Sequence, residues 1–127
     1  MKFLCTTINV ENLDESIAFY TGIVGLRVLN RLSADPGIEM AFLGNGTDNE
    51  TLIELLADSG VGTVSYSEFI SIGFAVDSVE RKLASLQREG IPVHNGPYET
   101  SAMRYFCIRD PDGLQVRFFS ENSFGSA

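Results

Sequence analysis

The residues that could do chemistry in this sequence are few and widely spaced. The chain has one histidine, His94, and two cysteines, Cys5 and Cys107. Two cysteines so far apart indicate neither a disulfide framework nor a zinc knuckle, and both lie in apolar, strand-like segments where a free cysteine acts as a small hydrophobe. The Gly44-Asn45-Gly46 segment is explained by a hairpin turn, so no phosphate-binding glycine loop is predicted. These residues indicate that the cysteines are reduced, and they do not point to a particular reaction.

Two charged residues are related by an internal repeat of the apolar pattern. Leu52–Leu56 and Gln115–Phe119 align position by position, which places Glu54 and Arg117 at equivalent points of two strands. A glutamate can serve as a general base, and an arginine can stabilise an oxyanion. The chemistry therefore depends on the elements that carry these two side chains.

The first half of the chain has the pattern of a strand, an amphipathic helix and three further strands. Asn12 with Glu15 three positions later is typical of a helix start, and Gly25 is typical of a helix end. Asp35-Pro36-Gly37 indicates a turn between strands. The predicted strands are Phe3–Val10, Leu26–Leu32, Ile38–Leu43 and Thr51–Leu56, and the apolar helix positions are Leu13, Ile17, Tyr20 and Val24.

The second half repeats this order. Asp77 and Glu80 predict a helix start, Gly90 predicts its end, and Asp110-Pro111-Asp112-Gly113 predicts a tight turn. The predicted strands are Phe69–Val76, Ile91–His94, Met103–Ile108 and Leu114–Phe119, and the helix has an apolar stripe of Val79, Leu83 and Leu86. We therefore predict one α+β domain over residues 1–127. Its parts are a first module at about 1–58, a linker at about 59–68, a second module at about 69–120 and a tail at 121–127.

Composition and charge argue against several classes of protein. Seventeen acidic and nine basic side chains give a net charge of -8, which repels nucleic-acid phosphates and anionic membrane surfaces. No apolar run approaches the roughly 20 residues of a membrane-spanning helix, and the start lacks the pattern of a signal peptide. We expect a cytoplasmic protein that binds neither nucleic acid nor membranes.

Two motifs and the order of the elements resemble a known superfamily. The segment Asn12–Tyr20, followed by Val24-Gly25-Leu26, is similar to the opening of vicinal oxygen chelate (VOC) proteins, and Asp110-Pro111-Asp112-Gly113 is similar to their closing hairpin. This superfamily includes glyoxalases, bleomycin-resistance proteins and extradiol dioxygenases. The resemblance implies two βαβββ modules whose curled mixed sheets face each other around a cleft. It implies a fold rather than an activity, because this fold carries several chemistries.

In the enzymes of this superfamily, four strand positions hold a divalent metal, mostly through histidine and glutamate. The resemblance places these positions on Cys5, Glu54, Ser71 and Arg117. Only Glu54 is an ordinary ligand for nickel, zinc or magnesium, because Ser71 donates weakly and Arg117 has a fixed positive charge and no lone pair to offer. We therefore expect no divalent metal and no cofactor, and we expect His94 to be exposed or hydrogen-bonded locally.

The resemblance also implies that a later segment lines the mouth of the cleft. In this sequence the segment contains Arg104 and Tyr105 near Gly96-Pro97-Tyr98, although the residues alone indicate a surface hairpin. The candidate binding residues are therefore Cys5, Ser71, Arg104, Tyr105 and Arg117, and the candidate catalytic base is Glu54.

Three functions are compatible with these residues. The preferred one is a metal-free protein of the bleomycin-resistance type that binds a small molecule, cations included, in an acidic and aromatic cleft. The alternatives are a metal-dependent lyase or isomerase of the glyoxalase I (lactoylglutathione lyase) type, and a metal-free enzyme with Glu54 as base and Arg117 beside an oxyanion. The identity of the ligand stays open.

The resemblance and the charges lead to two further expectations. We expect a homodimer, because two small curled sheets leave an open apolar face; whether the modules pair within one chain or across the dimer stays open. We also expect an ion pair between Glu54 and Arg117, because the arginine could replace the positive charge of a missing metal.

Overall fold

The computed structural model describes residues 1–46, 48 and 50–122. The chain divides into two compact units, Met1–Ser65 and Tyr66–Ala127, and each unit has its own four-stranded sheet. Of the predicted tail, Glu121 belongs to the last strand and Asn122 is buried beside it, while residues 123–127 lie outside the described part. Within the described residues, no helix is long and apolar enough to cross a membrane.

The first unit has the predicted order of a strand, a helix and three strands. Its elements are β1 (Thr6–Asn9), α1 (Leu13–Phe19), a π-helical turn (Tyr20–Val24), β2 (Arg27–Asp35), β3 (Ile38–Gly44) and β4 (Ile53–Asp58). The strand order in the sheet is β1-β4-β3-β2, with β1 parallel to β4 and the other neighbours antiparallel. α1 packs on β3 and β4 and covers one face of this sheet.

Local signals explain where the elements of the first unit begin and end. The Asn12 side chain accepts a hydrogen bond of 2.9 Å from the backbone N–H of Glu15, as the helix-start pattern predicted. Gly25 ends the helical segment with a φ of 96°, in the left-handed region that favours glycine. The first strand is shorter than predicted, because β4 begins at Ile53, opposite Thr6, and offers no partner to Phe3–Cys5.

The second unit repeats the topology of the first. Its elements are β5 (Ser71–Ala75), α2 (Val79–Arg88), β6 (Asn95–Glu99), β7 (Met103–Arg109) and β8 (Gln115–Glu121). The strand order is β5-β8-β7-β6, with β5 parallel to β8. Each unit is therefore a βαβββ module, which confirms the predicted α+β fold class.

Two details of the second module were predicted wrongly. The strand after α2 is Asn95–Glu99 rather than Ile91–His94, because Pro92 has no N–H to donate and the backbone first bonds to β7 through the His94 N–H, next to the Asn95–Cys107 pair. The residue that caps α2 is Ser78 rather than Asp77. Its hydroxyl accepts a hydrogen bond of 3.2 Å from the backbone N–H of Arg81.

The turn between β7 and β8 depends on a buried aspartate. Asp110 is 5% exposed, and its Oδ1 accepts hydrogen bonds of 2.9 Å from the backbone N–H groups of Asp112 and Leu114. Gly113 completes the turn with a φ of 90°. The carboxylate thus satisfies two backbone donors that the tight turn leaves without carbonyl partners.

Replacing Asp110 with alanine should lower the free energy of unfolding by about 2–3 kcal/mol, because two backbone donors at a buried turn lose their acceptor. Urea unfolding followed by circular dichroism measures this change. Asp58→Ala is the matched control, since Asp58 accepts a similar bond from Gly60 at an exposed turn. An equal effect of the two substitutions would show that burial of the Asp110 turn does not matter.

Candidate functional site

Strand β8 separates two chemically different sides of the second sheet. Phe118 is fully buried and faces α2, where Lys82 Nζ lies 5.2 Å from the centre of its ring. Because side chains alternate along a strand, Gln115, Arg117 and Phe119 point to the opposite side. The side opposite α2 therefore carries a charged, a polar and an aromatic group from one strand.

Neighbouring strands add further groups to this side, because cross-strand partners share a face. The partners of these β8 residues in β5 and β7 are Ser71, Gly73, Tyr105 and Cys107, together with Ala75 and Arg109. The surface formed by Ser71, Tyr105, Gln115, Arg117 and Phe119 is called the Arg117 face below. It brings Ser71, Tyr105 and Arg117 together, which are three of the residues predicted to bind a ligand.

Three aromatic rings form a row across this face. The ring centres of Tyr98 and Tyr105 lie 5.4 Å apart, and those of Tyr105 and Phe119 lie 5.2 Å apart with an angle of 29° between the rings. Gly73 makes room for the last ring, because a Cβ atom at this position would lie 2.9 Å from a ring carbon of Phe119. Tyr98 is 47% exposed, so solvent reaches one end of the row.

The guanidinium of Arg117 lies against the aromatic row. Its Cζ is 5.4 Å from the centre of the Tyr105 ring, which is cation–π geometry. The Nε atom of Arg117 is buried and has no hydrogen-bond partner in the described part of the chain. A buried donor without a partner is costly, and arginine cannot remove the cost by losing its proton. The face therefore holds a fixed positive charge with an unused donor.

Cys107 lies beside Arg117 but is unsuited to nucleophilic chemistry. It is 2% exposed, and its Sγ donates to Gln115 Oε1 at 3.4 Å. Burial raises the pKa of the Cys107 thiol above its ordinary value, although the positive charge of Arg117 opposes this shift. The thiol therefore stays protonated at neutral pH and acts as a small buried group.

Arg104 does not share the Arg117 face with its neighbour Tyr105. Adjacent residues of a strand point to opposite sides, and Arg104 forms an ion pair with Glu80 at the start of α2. The pKa of Glu80 is lowered first by a hydrogen bond from its own backbone N–H and further by the charge of Arg104. Arg104 thus belongs to the helix side of the sheet, which separates two residues that the sequence placed together.

A polar network joins the edge of the Arg117 face to the segment before β5. Glu68 accepts hydrogen bonds of 2.6 Å from Arg109 Nη2 and 2.6 Å from Gln115 Nε2. Its Oε2 also lies 3.2 Å from His94 Nε2, so His94 is hydrogen-bonded, although to a residue far away in the sequence. The bonds from His94 and Arg109 hold the pKa of Glu68 below its ordinary value of 4.5. We describe this cluster as the Glu68 network.

The first unit presents the other candidate positions. Glu54 is half-buried on β4, where its register partners are Thr7 on β1 and Phe42 on β3. Cys5 is partly exposed and lies one residue ahead of β1. Since Glu54 belongs to the first unit and Arg117 to the second, their ion pair stays a prediction.

The residues at the four predicted ligand positions do not fit a divalent metal. The only carboxylate is that of Glu54, while Arg117 adds a positive charge that would repel the ion. Among the described residues, no group of three or more His, Cys, Asp and Glu side chains is placed to hold a metal ion.

An acidic depression of about 780 Å³ lies within the first unit. Its carboxylates come from Glu11, Asp14, Asp35, Glu39 and Asp58, and Arg31 pairs with Asp14 at 2.8 Å. The surplus of negative charge is compatible with a cation. The side chains of Asp14 and Glu39 are more than half exposed, so water screens their charge.

Sequence reasoning did not identify four of the residues that shape the site. Phe119 and Gln115 stand two positions on either side of Arg117, so strand alternation alone could have placed them on its face. Tyr98 was placed in the segment expected at the mouth of the cleft, but not among the candidate binding residues. Glu68 was assigned to the linker, and no local pattern connects it with Arg109 or His94.

Replacing Glu68 with glutamine should destabilise the protein at neutral pH and have a smaller effect in acid. Because folding lowers the pKa of Glu68, its carboxylate contributes stability above 4.5, and this contribution disappears as the pH falls through the lowered value. Urea unfolding of both proteins between about pH 3 and pH 7 measures the difference. Glu89→Gln, at the exposed end of α2, is the control. A difference that does not change with pH would contradict this role of the charge.

Comparison with known proteins agrees with the architecture. The family model of the Glyoxalase/Bleomycin resistance protein/Dioxygenase superfamily matches residues 2–118. Lactoylglutathione lyase of Salmonella typhimurium is 28% identical over 131 aligned positions, which cover 98% of this chain and 96% of the relative.

Solved structures show the same fold. The trypanothione-dependent glyoxalase I of Leishmania major has a TM-score of 0.77 and 28% identity, with 94% of this chain and 86% of that chain covered. An antibiotic-binding protein from Streptomyces, TnmS3, has a TM-score of 0.73 at 20% identity, with 96% and 98% covered. With the family model matching nearly the whole length and the βαβββ topology present in both units, this chain belongs to the glyoxalase/bleomycin resistance protein/dioxygenase superfamily.

Proposed function

We propose that this protein binds a small organic molecule on the Arg117 face and does so without a divalent metal. The observation that carries the proposal is the state of Arg117, which the superfamily resemblance assigns to a metal-ligand position. Its guanidinium lies on the Tyr105 ring, and its buried Nε has no partner. An anionic ligand would compensate the fixed charge of this guanidinium.

The surroundings of Arg117 support ligand binding rather than catalysis. The buried Cys107 is protonated at neutral pH. Within the Glu68 network, the Gln115 amide already donates a hydrogen bond to the Glu68 carboxylate. The aromatic rings supply planar apolar area, which binding sites for small molecules use for affinity. The Arg117 face thus offers contacts for a ligand, and the hydroxyls of Ser71 and Tyr105 have no base to activate them among the residues that form the face.

An enzyme of the lactoylglutathione lyase type is the second candidate. It is favoured by the identity of 28% along nearly the whole chain and by the carboxylate of Glu54 at a superfamily ligand position. In a metal-free version, Glu54 would serve as the general base and Arg117 would stabilise an oxyanion. Lactoylglutathione lyase activity that is abolished by Glu54→Gln would favour this candidate over binding alone.

The purified protein should contain no tightly held divalent metal, because one carboxylate with a cationic companion cannot compete with water for the ion. Elemental analysis before and after treatment with a chelator tests this. One equivalent of nickel, zinc, iron or manganese per chain, lost on chelation, would contradict the proposal.

A variant in which the missing ligands are restored provides the positive control for the metal experiment. The triple substitution Cys5→His, Ser71→His and Arg117→Glu supplies the histidines and glutamate that are usual at these positions. It should acquire affinity for nickel or zinc in equilibrium dialysis, whereas the unmodified protein should not.

A cytoplasmic homodimer is part of the proposal. Phe3 and Phe69 occupy equivalent places ahead of the first strand of each module, and they are 77% and 99% exposed. Large apolar side chains at repeated positions favour burial against a second copy. The net charge of -8 argues against nucleic acid and anionic membranes as partners.

Light scattering at micromolar concentration should give the mass of a dimer, and Phe69→Ser should shift the population toward monomer, because the substitution removes an exposed aromatic ring from the expected interface. Val61→Ser is the control, since Val61 is an exposed apolar residue of the predicted linker. A stable monomer in the unmodified protein would contradict the dimer.

A further inference from the structure

From the arrangement of charge and rings, we infer that the ligand of the Arg117 face is a planar aromatic molecule that carries a carboxylate or a similar anionic group. The inference rests on the proposed function and adds the chemical class of the ligand. Its basis is the position of Arg117 beside the row of Tyr98, Tyr105 and Phe119. No metal ion is involved in the recognition.

The anionic group follows from Arg117. A guanidinium keeps its charge at every physiological pH and matches the two oxygens of a carboxylate. The guanidinium forms such a pair through parallel N–H donors, and its terminal Nη groups make the contact because Nε is closed to solvent. A cationic ligand would face repulsion at short range, and a neutral ligand would leave the charge without compensation.

The aromatic part follows from the rings. Tyr105 and Phe119 stack at an angle of 29°, and Tyr98 continues the row toward solvent at a ring distance of 5.4 Å. A flat ligand ring can extend such a row by offset stacking. The guanidinium already lies on Tyr105, so a ring bound to this row has its substituent close to Arg117.

Distances along the strand limit the size of the ligand. Arg117 and Phe119 are two positions apart on one strand, which separates their Cα atoms by about 6.6–6.8 Å. A carboxylate attached directly to a ring of one or two fused cycles spans such a distance. Ser71 lies one strand beyond Arg117, paired with Gln115, and can donate a further hydrogen bond to the anionic group.

Four matched probes test the inference: naphthoate, its neutral amide, cyclohexanecarboxylate and naphthylmethylammonium. Calorimetric titration in the presence of a chelator should show that naphthoate binds at least about tenfold more tightly than each of the others, as expected when a charge-assisted hydrogen bond and ring stacking act together. Equal binding of acid and amide would overturn the anionic part. Tighter binding of the ammonium probe, or failure of naphthoate to bind, would overturn the inference.

Two substitutions separate the contributions of charge and rings. Arg117→Gln should weaken naphthoate about tenfold or more and leave the amide unchanged, because it removes the charge and keeps a polar side chain. Gly73→Ala should weaken the acid and the amide alike, because its Cβ displaces the Phe119 ring. Arg88→Gln, at the exposed end of α2, makes the same change in net charge and should have no effect.

The same titrations distinguish failure of the inference from failure of the proposed function. If naphthoate binds only after nickel or zinc is added, metal-free binding is wrong. If the ammonium or aliphatic probe binds best in chelator, metal-free binding stands and the ligand class is wrong. An Arg117→Gln protein that keeps its circular dichroism spectrum and binds naphthoate normally would also overturn the inference.

Discussion

The structure depends on the parallel pairing of the first and last strand in each module. In the second module, β5 and β8 pair with Ser71 opposite Gln115 and Gly73 opposite Arg117. This register determines which side chains of β8 meet α2 and which do not. A slip of one residue would place Arg117 among the buried side chains under α2 and would expose Phe118, which costs both charge desolvation and apolar burial. The register therefore maintains the core and the Arg117 face together.

Arg117 changes what this position of the fold can do. The superfamily resemblance places Arg117 at a position that contributes a ligand to a divalent cation in the enzymes, and in this chain the side chain itself carries the positive charge. A guanidinium is planar and stays protonated, and its N–H donors point in fixed directions. It therefore selects an anionic group by hydrogen-bond geometry as well as by charge. The ring of Tyr105 stabilises the guanidinium from one side.

The Glu68 network restricts the groups at the edge of this face. Glu68 accepts bonds from Arg109 and Gln115, and Gln115 in turn accepts a bond from Cys107. Each of these groups has a partner within the second unit, whereas Nε of Arg117 has none in the described part of the chain. Because satisfied groups gain little from a ligand, the proposed binding depends on Arg117 and the aromatic row.

Much of the fold could be predicted from local patterns. The helix start at Asn12, the helix end at Gly25 and the turn at Asp110-Pro111-Asp112-Gly113 are encoded by short-range hydrogen bonds and backbone preferences, and the structure contains all three. The repeat of the apolar pattern also placed Glu54 and Arg117 at equivalent strand positions. Such features need no knowledge of distant residues.

Tertiary structure alone decided the composition of the site. Arg104 and Tyr105 are adjacent in sequence, yet pairing of β7 within the sheet sends them to opposite sides, and Arg104 joins Glu80 on α2. Glu68 is hydrogen-bonded to Arg109 and His94, which are far from it in the sequence, and no local sequence pattern predicts these contacts. The sequence by itself determined the elements and the residue types available, because these depend on neighbours along the chain. The choice of partners required the sheet register, because contacts between distant strands are selected by burial of a whole face at once.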